Sequence, residues 1–347
     1  MRQAEFSRKQ IRVLIRRGFS AVSGQAAEAI RSVGLSILPV LALLSILSAG
    51  IASAGPVGAF RFKPLAESSP CVAGGPDFSQ VPLTLPAGFN HTVLATEGSN
   101  FPDQADMHTL NETGAHAGRF LYHTHEVRDS GAVSVTDLLE GSTTLLEQQS
   151  HWERLDGIDW TPWGTVLFAE EVRASRTPRR LDPDAPHALG GLVYEADPSD
   201  PSGAVVRPAI GSRAHEGLSF DGAGNLYGIS EVGVGQGGGG IFKFVPDRRG
   251  DLSSGQLYAL KVAAGTTGDA QWVALDRHQS EVDSDAEAIR KGATRFAKAE
   301  DLEVWAETLF VAISDDHRVI AIDLREQKTN EHGNETTFVW DYVKAGV

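Results

Sequence analysis

The feature that most constrains the fold of this chain is a repeat of an acid, an alternating apolar strand, a turn, a second strand and another acid. The first acids of three copies are Asp156, Glu216 and Glu300, and the second acids, fifteen residues later, are Glu171, Glu231 and Asp315. The turn of one copy, Asp221-Gly-Ala-Gly-Asn225, carries the residue types that a tight hairpin requires. The repeat therefore predicts a series of antiparallel β-hairpins.

Short apolar runs bounded by turn residues continue along the chain from residue 81 onward. Examples are Gly191–Tyr194, Gly240–Val245 and Thr308–Ile313, and such runs are typical of strands. Only Asp283–Ala299 has a helical composition, and we expect it to be an insertion or a loop helix. Repeated hairpins indicate β-propeller blades, and blades of about 40–50 residues divide residues 81–347 into five or six. The sequence thus predicts an all-β fold, with a β-sandwich as the structural alternative.

The recurring first acid predicts a metal site. In a propeller, the innermost strand of each blade begins at the mouth of the central channel, so acids at that point converge on the axis. Like charges brought together destabilise one another unless a cation neutralises them. Several carboxylates around one cavity suit a hard divalent cation, which takes oxygen ligands. The alternative is that each acid caps a turn within its own blade. A β-sandwich would not predict an acid at the same place in each repeat.

Charge and cysteine content exclude several classes of protein. The chain has 31 Lys and Arg against 45 Asp and Glu, and residues 55–347 retain 24 bases and 43 acids, a net charge of −19. A body this acidic repels phosphate backbones, so no nucleic-acid partner is expected. The single cysteine, Cys71, excludes an intrachain disulfide framework and a cysteine-rich zinc or iron–sulfur site.

The first 54 residues have the pattern of a secretory signal peptide. Seven bases lie before an uncharged apolar run, and Ala52-Ser-Ala54 follows as an A-x-A cleavage site. Arg16-Arg17 fits the twin-arginine pattern, and an uncleaved anchor is the alternative. We therefore expect a signal peptide over 1–54, an irregular lead-in over 55–80, and a periplasmic or secreted protein without stable membrane anchoring after cleavage.

Four segments of the sequence resemble motifs of the PhoX-type alkaline phosphatases. In chain order they are Tyr122-His-Thr-His-Glu126 (NHE), Thr161-Pro-Trp-Gly-Thr-Val-Leu-Phe-Ala-Glu-Glu171 (TPWGT…EE), Ser212-Arg-Ala-His-Glu216-Gly (GR-x-x-HE) and Lys298-Ala-Glu300-Asp301 (RPED). They come in the family's order and span roughly residues 85–347. The resemblance implies a six-bladed β-propeller over 81–347, export, and hydrolysis of phosphomonoesters with calcium, and in characterised members also iron, at the channel mouth.

The chain departs from that family pattern at three places. Asp156 stands where characterised members carry a metal-bridging cysteine, and carboxylate suits calcium or magnesium whereas thiolate suits iron. Lys298 replaces the phosphate-binding arginine, which keeps the charge but loses the bidentate fork. The sequence stops at Ala345-Gly-Val347, where relatives continue, which leaves open whether the last blade is complete. Calcium is therefore the expected cofactor, in preference to a two-iron centre.

These observations predict an exported, metal-dependent phosphomonoesterase-like hydrolase. The expected metal ligands are Asp156, Glu171, Glu216 and Glu300, with Glu126 as a further candidate. Lys298 is the expected phosphate-gripping catalytic residue, acting on a small phosphomonoester substrate in a monomeric protein. Two alternatives stand beside this hypothesis. One is a calcium-stabilised propeller without catalysis that serves as a binding or scaffold module, and the other is a lactonase- or esterase-type propeller hydrolase.

Overall fold

The computed structural model describes residues 85–90, 92–175, 182–200, 203–325, 328–330 and 333–344. One compact unit includes Leu94–Val347, and a second comprises Leu14–Val93. Of the second unit only 85–90 and 92–93 are described, with a turn closed by a hydrogen bond from the Phe89 N–H to the Pro86 carbonyl (3.2 Å). The expected signal peptide and lead-in, residues 1–80, lie outside the described residues. No described helix is long and apolar enough to cross a membrane.

The described residues from Leu94 onward are all-β and contain four antiparallel meanders, which we call meanders 1 to 4. Meander 1 consists of β1 (Ala105–Leu110), β2 (Phe120–His125), β3 (Ala132–Asp137) and β4 (Ser142–Gln148). Meander 2 consists of β5 (Leu155–Trp160), β6 (Val166–Glu170), β7 (Val193–Ala196) and β8 (Val205–Val206). Meander 3 consists of β9 (His215–Phe220), β10 (Leu226–Ser230), β11 (Ile241–Arg248) and β12 (Asp251–Val262). Meander 4 consists of β14 (Ala299–Trp305), β15 (Thr308–Ile313), β16 (Arg318–Asp323) and β17 (Glu335–Lys344).

An additional strand, β13 (Gly268–Ala274), joins meanders 3 and 4 because it pairs with both β12 and β17. The resulting nine-stranded sheet runs from β9 to β14, and these two end strands lie beside each other. The first strands of the meanders also form a row of neighbours, with β1 beside β5, β5 beside β9 and β9 beside β14. This side-by-side order of first strands is propeller-like.

Apolar cores lie between successive meanders. The strand β6 shows why, because it is buried along its whole length. Val166 and Phe168 pack into a core with residues of meander 1, whereas Leu167 and Ala169 pack into a core with residues of meander 3. Successive side chains of a strand point to opposite faces, so one strand contributes to two cores. A third core joins meanders 3 and 4 around Trp272.

One helix, α1 (Arg277–Arg290), precedes meander 4. Its N-cap Asp276 accepts a hydrogen bond from the Gln279 N–H (3.0 Å), which satisfies a backbone donor of the first turn. The sequence placed helical composition at Asp283–Ala299, so the helix begins earlier and ends sooner than expected. Gly292, with φ of +72°, follows the C-cap and turns the chain away from the helix axis toward β14.

Candidate active site

The first hairpin of every meander has the same backbone geometry at its open end. The residue that follows the second strand donates its N–H to a carbonyl that lies before the first acid of the first strand. These hydrogen bonds run from Glu126 to Gln104 (2.9 Å), from Glu171 to Arg154 (2.9 Å), from Glu231 to Ala214 (3.0 Å) and from Ser314 to Lys298 (3.0 Å). Because the first strands are neighbours, this repeated geometry brings the acids of different meanders to one place.

Four carboxylates from meanders 2 and 3 form the centre of that place. Asp156, Glu171, Glu216 and Glu231 are all buried, and each offers an oxygen within 4.8 Å of the others. A second group, consisting of Asp106, Glu126 and Asp156, meets the same distance criterion and shares Asp156 with the first. We call the two together the carboxylate cluster. The acids of meanders 1, 2 and 3 thus converge around one point.

Glycines directly after two of these acids permit the approach of neighbouring meanders. A Cβ atom on Gly157, next to Asp156, would lie 1.9 Å from the carbonyl oxygen of Glu216. A Cβ atom on Gly217, next to Glu216, would lie 2.6 Å from the backbone nitrogen of Leu302. Any larger residue would push the first strands apart, so the acid–glycine order is part of what assembles the cluster.

Two cations contact the carboxylate cluster. The Arg154 guanidinium lies 3.2 Å from Glu126 Oε1 and also binds Glu171. The Lys298 ammonium lies 2.9 Å from Glu231 Oε1 and also binds Glu300. Glu300 accepts a further hydrogen bond from the Ser314 hydroxyl (2.9 Å). Glu300 therefore lies outside both close groups of acids and is held by a lysine and a serine.

The pKa values of the clustered acids shift in different directions, because like charges lie close together in a buried site. Burial raises the pKa of Glu171, and its hydrogen bond to Glu126 and the charge of Glu231 raise it further. Burial would also raise the pKa of Glu231, but its bonds with Glu216, Glu171 and Lys298 outweigh that effect and lower it. Burial raises the pKa of Glu126 as well. Close carboxylates thus oppose one another's ionisation, and a bound metal ion would remove that opposition.

The donor set fits a hard divalent cation. All members of the cluster offer carboxylate oxygens, and four of the six are buried. Calcium takes six to eight oxygen ligands, which include mono- or bidentate carboxylates. Asp156 offers a carboxylate oxygen, which favours a hard cation, whereas a thiolate at this position would favour a softer metal. The carboxylate cluster could therefore hold metal ions.

The structure places the residues expected from the sequence in three different environments. Asp156, Glu171 and Glu216 come together in the first group, and Glu126 lies in the adjoining group. Glu300 lies outside the carboxylate cluster and contacts Lys298. That pairing makes Glu300 a partner of the cation in this structure.

Sequence reasoning missed three residues of this site. Glu231 is the second acid of a repeat copy, so the repeat itself contained the signal. Asp106 belongs to meander 1, where a longer connection between β1 and β2 hides the repeat. Arg154 lies two residues before Asp156, as Lys298 lies two before Glu300, and that equivalence was the available clue.

The second acid of the repeat is displaced in meander 4. Asp315 is exposed and accepts a hydrogen bond from the Val234 N–H (3.1 Å). Trp305 pairs directly with Thr308, so only two residues form the turn between β14 and β15, whereas the equivalent turns of meanders 2 and 3 have five. The turn of meander 4 is three residues shorter, but each paired strand segment is one residue longer, so the net change is one residue and Ser314 occupies the place of the second acid.

Comparison with known proteins agrees with this geometry. The family model described as "Alkaline phosphatase PhoX" matches residues 158–345, which is more than half of the chain. No curated protein sequence matches the chain.

Solved structures to which the chain shows some similarity include three of different kinds. PhoX from Pseudomonas fluorescens, in complex with the transition-state analogue vanadate, has 16% identity and a TM-score of 0.48, covering 69% of this chain and 66% of that one. A gluconolactonase from Xanthomonas campestris has 17% identity and a TM-score of 0.30, covering 60% and 68%. A nidogen/laminin complex gives 14% identity and a TM-score of 0.39, covering 64% and 61%. The chain thus spans slightly less than two thirds of the Pseudomonas PhoX chain, and by its family match it belongs to the PhoX alkaline phosphatases.

Proposed function

We propose that this protein is a phosphomonoesterase whose carboxylate cluster holds calcium. The observation that carries the proposal is the set of four buried carboxylates, Asp156, Glu171, Glu216 and Glu231, with cations on their flanks. Carboxylates for metal ions and cations for an anionic ligand are the two parts that phosphoryl transfer requires. Membership of the PhoX family supports the same reaction.

The residues of the chain divide this chemistry between them. A divalent cation, when bound, polarises phosphoryl oxygens and lowers the barrier to attack by water. The carboxylate cluster would hold that cation, with Asp156 shared between its two groups. Lys298, two-thirds buried beside the cluster, would grip the transferred phosphoryl group. Burial lowers the pKa of Lys298, but Glu300 and Glu231 outweigh burial and raise it, so the lysine keeps its charge at alkaline pH.

Calcium is favoured over iron by the donor atoms. Every member of the carboxylate cluster offers oxygen, and the one cysteine of the chain, Cys71, lies outside the described residues. Glu300 is the exception among the acids expected to bind metal, because it belongs to neither close group of acids, and its side chain binds Lys298 and Ser314. We therefore propose Asp156, Glu171, Glu216, Glu231 and the adjoining Glu126 as ligands, with Glu300 as the residue that orients Lys298.

The finer features of the fold and location are proposals of the same kind. We propose that the four meanders belong to a six-bladed propeller, that residues 1–54 direct export to the periplasm or medium, and that the mature protein is a monomer without a membrane anchor. Family membership and the side-by-side order of first strands support the propeller. The basic, apolar and A-x-A segments of the sequence support export.

One observation favours a second candidate function, a calcium-stabilised propeller without catalysis. Arg154 and Lys298 both bind carboxylates in this structure, so the charge of each cation is already paired. If they stayed bound after calcium entered, the site would hold metal and leave nothing to grip a phosphoryl group. The two functions differ in whether calcium-loaded protein hydrolyses a phosphomonoester.

The test is hydrolysis of 4-nitrophenyl phosphate by the full chain with calcium, and after treatment with a chelator. The phosphatase proposal expects turnover that calcium restores, and iron should not replace calcium. Calcium binding without any hydrolysis would reject the phosphatase and leave the non-catalytic propeller. Hydrolysis of a lactone in place of the phosphate would instead support an esterase-type enzyme.

A further inference from the structure

Arg154 occupies in meander 2 the place that Lys298 occupies in meander 4. Both carbonyls accept the hydrogen bond from the residue after the second strand, at 2.9 and 3.0 Å. Both N–H groups donate to the preceding meander, to the carbonyl of Val127 (3.2 Å) and of Val232 (3.1 Å) respectively. The two cations are therefore equivalent by backbone position, although no sequence motif links them.

The backbone conformation at these two positions is uncommon and is the same in both. Arg154 has φ of +52° and Lys298 has φ of +58°, in the left-handed region that non-glycine residues rarely adopt. Gln104, the equivalent residue of meander 1, has φ of +58° but carries no charge. Among the four described meanders, only the second and the fourth place a cation there.

The two cations contact different members of one pair of carboxylates. Arg154 binds Glu171, and Lys298 lies 2.9 Å from Glu231. Glu171 and Glu231 belong to the same group, with oxygens within 4.8 Å of each other. The successive contacts therefore run from Arg154 to Glu171, from Glu171 to Glu231 and from Glu231 to Lys298.

Solvent reaches the cations more readily than the carboxylates between them. The side chains of Arg154 and Lys298 are 35% and 34% exposed, whereas those of Glu171 and Glu231 are 9% and 11% exposed. A ligand that enters from solvent therefore meets the guanidinium and the ammonium at the surface of the site. When a divalent cation neutralises Glu171 and Glu231, the charges of Arg154 and Lys298 become available to an anion.

We propose that Arg154 is a second phosphoryl-binding residue, which binds the terminal phosphate of a phosphomonoester together with Lys298. This inference rests on the proposed function. A guanidinium presents two parallel N–H donors that match two phosphoryl oxygens, whereas an ammonium acts as a point charge. Arg154 thus supplies the bidentate contact that Lys298 cannot make.

The test measures binding of inorganic phosphate to the full chain by calorimetry, with calcium held at saturation for each variant. Arg154→Gln removes the charge, Arg154→Lys keeps the charge without the fork, and Arg207→Gln is the matched control. Arg207 is likewise partly buried and binds a glutamate, Glu195, at 2.8 Å, outside the carboxylate cluster. Circular dichroism and thermal melting verify that each variant is folded.

We expect Arg154→Gln to weaken phosphate binding about 10- to 100-fold, the effect of losing a charge-assisted contact. Arg154→Lys should weaken it less, and Arg207→Gln should leave it unchanged. Unchanged phosphate affinity in Arg154→Gln, while the wild type hydrolyses 4-nitrophenyl phosphate, would overturn this inference alone. A calcium-loaded wild type that neither binds phosphate nor hydrolyses the ester would overturn the proposed function as well.

Discussion

Meanders 2 and 3 differ from meander 4 in what they bring to the same place. Meanders 2 and 3 each contribute two buried acids to the carboxylate cluster. In meander 4, Ser314 occupies the place of the second acid, and Lys298 binds the remaining acid, Glu300. The same backbone arrangement thus places pairs of buried acids in two meanders, and in the third a lysine held by Glu300. The difference teaches that the role of a repeat position follows from its register and neighbours as well as from its residue type.

The largest expected effect comes from removing the cation of meander 4. Lys298→Ala should lower turnover of 4-nitrophenyl phosphate about 100- to 1000-fold, because stabilisation of developing charge is commonly the largest catalytic contribution. Calcium binding should persist, since the carboxylate cluster remains. Lys298→Arg should retain the activity that Lys298→Ala loses and should strengthen inhibition by phosphate, because a guanidinium offers two parallel N–H donors to the phosphate.

The matched control for that experiment is Lys344→Ala, which removes an exposed lysine of the same meander. It should leave steady-state kinetics unchanged. Activity that survives in Lys298→Ala would show that meander 4 does not supply the phosphate grip, and the contrast between the meanders would lose its functional meaning.

The next effect separates the acids of meander 3 from that of meander 4. Glu216→Gln should weaken calcium binding about 10- to 100-fold, the cost of losing one charged ligand contact. Glu300→Gln should change calcium affinity by less than about threefold, because Glu300 lies outside both close groups of acids and binds Lys298. Asp221→Asn, in the hairpin turn of meander 3, serves as the control with an unchanged calcium response. Equal losses in Glu216→Gln and Glu300→Gln would place meander 4 among the metal-binding meanders.

A third expectation concerns pH. The folded-state pKa values of Glu171 and Glu126 are raised, so the calcium-free protein should lose stability as pH rises above the unfolded value near 4.5 toward the alkaline range. The lowered pKa of Glu231 acts in the opposite direction, but its contribution changes only below about pH 4.5. Burial lowers the pKa values of His108, His123, His125 and His215, and these also act in the opposite direction, but mainly below about pH 7. Melting of the chelated protein should therefore fall between about pH 7.5 and pH 9.

Calcium should remove most of that slope, because it stabilises the charged carboxylates. At one hundred times its Kd, calcium adds about 2.7 kcal/mol to the free energy of unfolding, and the melting temperature should rise by several degrees. A melting temperature of the chelated protein that is flat across this pH range and also insensitive to calcium would contradict the assignment of the acids to a metal centre.

The smallest effect tests the serine that replaces the second acid. Ser314→Ala removes the hydroxyl that donates to Glu300 (2.9 Å) and should cost about 1 kcal/mol of stability. Glu300 keeps its contact with Lys298 but loses the hydrogen bond from Ser314. Turnover should therefore fall only about two- to fivefold. Differential melting and steady-state kinetics measure the two. A loss as large as that of Lys298→Ala would mean that Ser314 contacts the substrate itself.

The sequence predicted the all-β class and much of the cluster, because both follow from a local repeat. A period-2 apolar pattern, a turn and an acid at a fixed spacing determine which end of a hairpin carries the carboxylate. Asp156, Glu171 and Glu216 meet because that end is the same in successive meanders. The family resemblance proposed from four motifs is confirmed by the family match. The number of blades, six, stays a prediction.

What the sequence did not reveal depends on geometry that spacing cannot encode. Glu300 pairs with Lys298, a residue with a left-handed backbone conformation that residue spacing does not reveal. The role of Arg154 depends on an equivalence of hydrogen bonds between meanders, and Asp106 is concealed by a longer loop. The helix was placed too late because Asp276 caps it before its acidic segment begins.

The most direct test of the central claim, that the buried acids of meanders 2 and 3 hold a divalent cation, is a calorimetric titration of chelated protein with calcium. The wild type should bind at least one calcium ion, and the double variant Glu171→Gln/Glu231→Gln should bind it at least 100-fold more weakly while remaining folded. Calcium binding of equal affinity and stoichiometry in the wild type and the double variant would contradict the account, because the metal would then lie elsewhere.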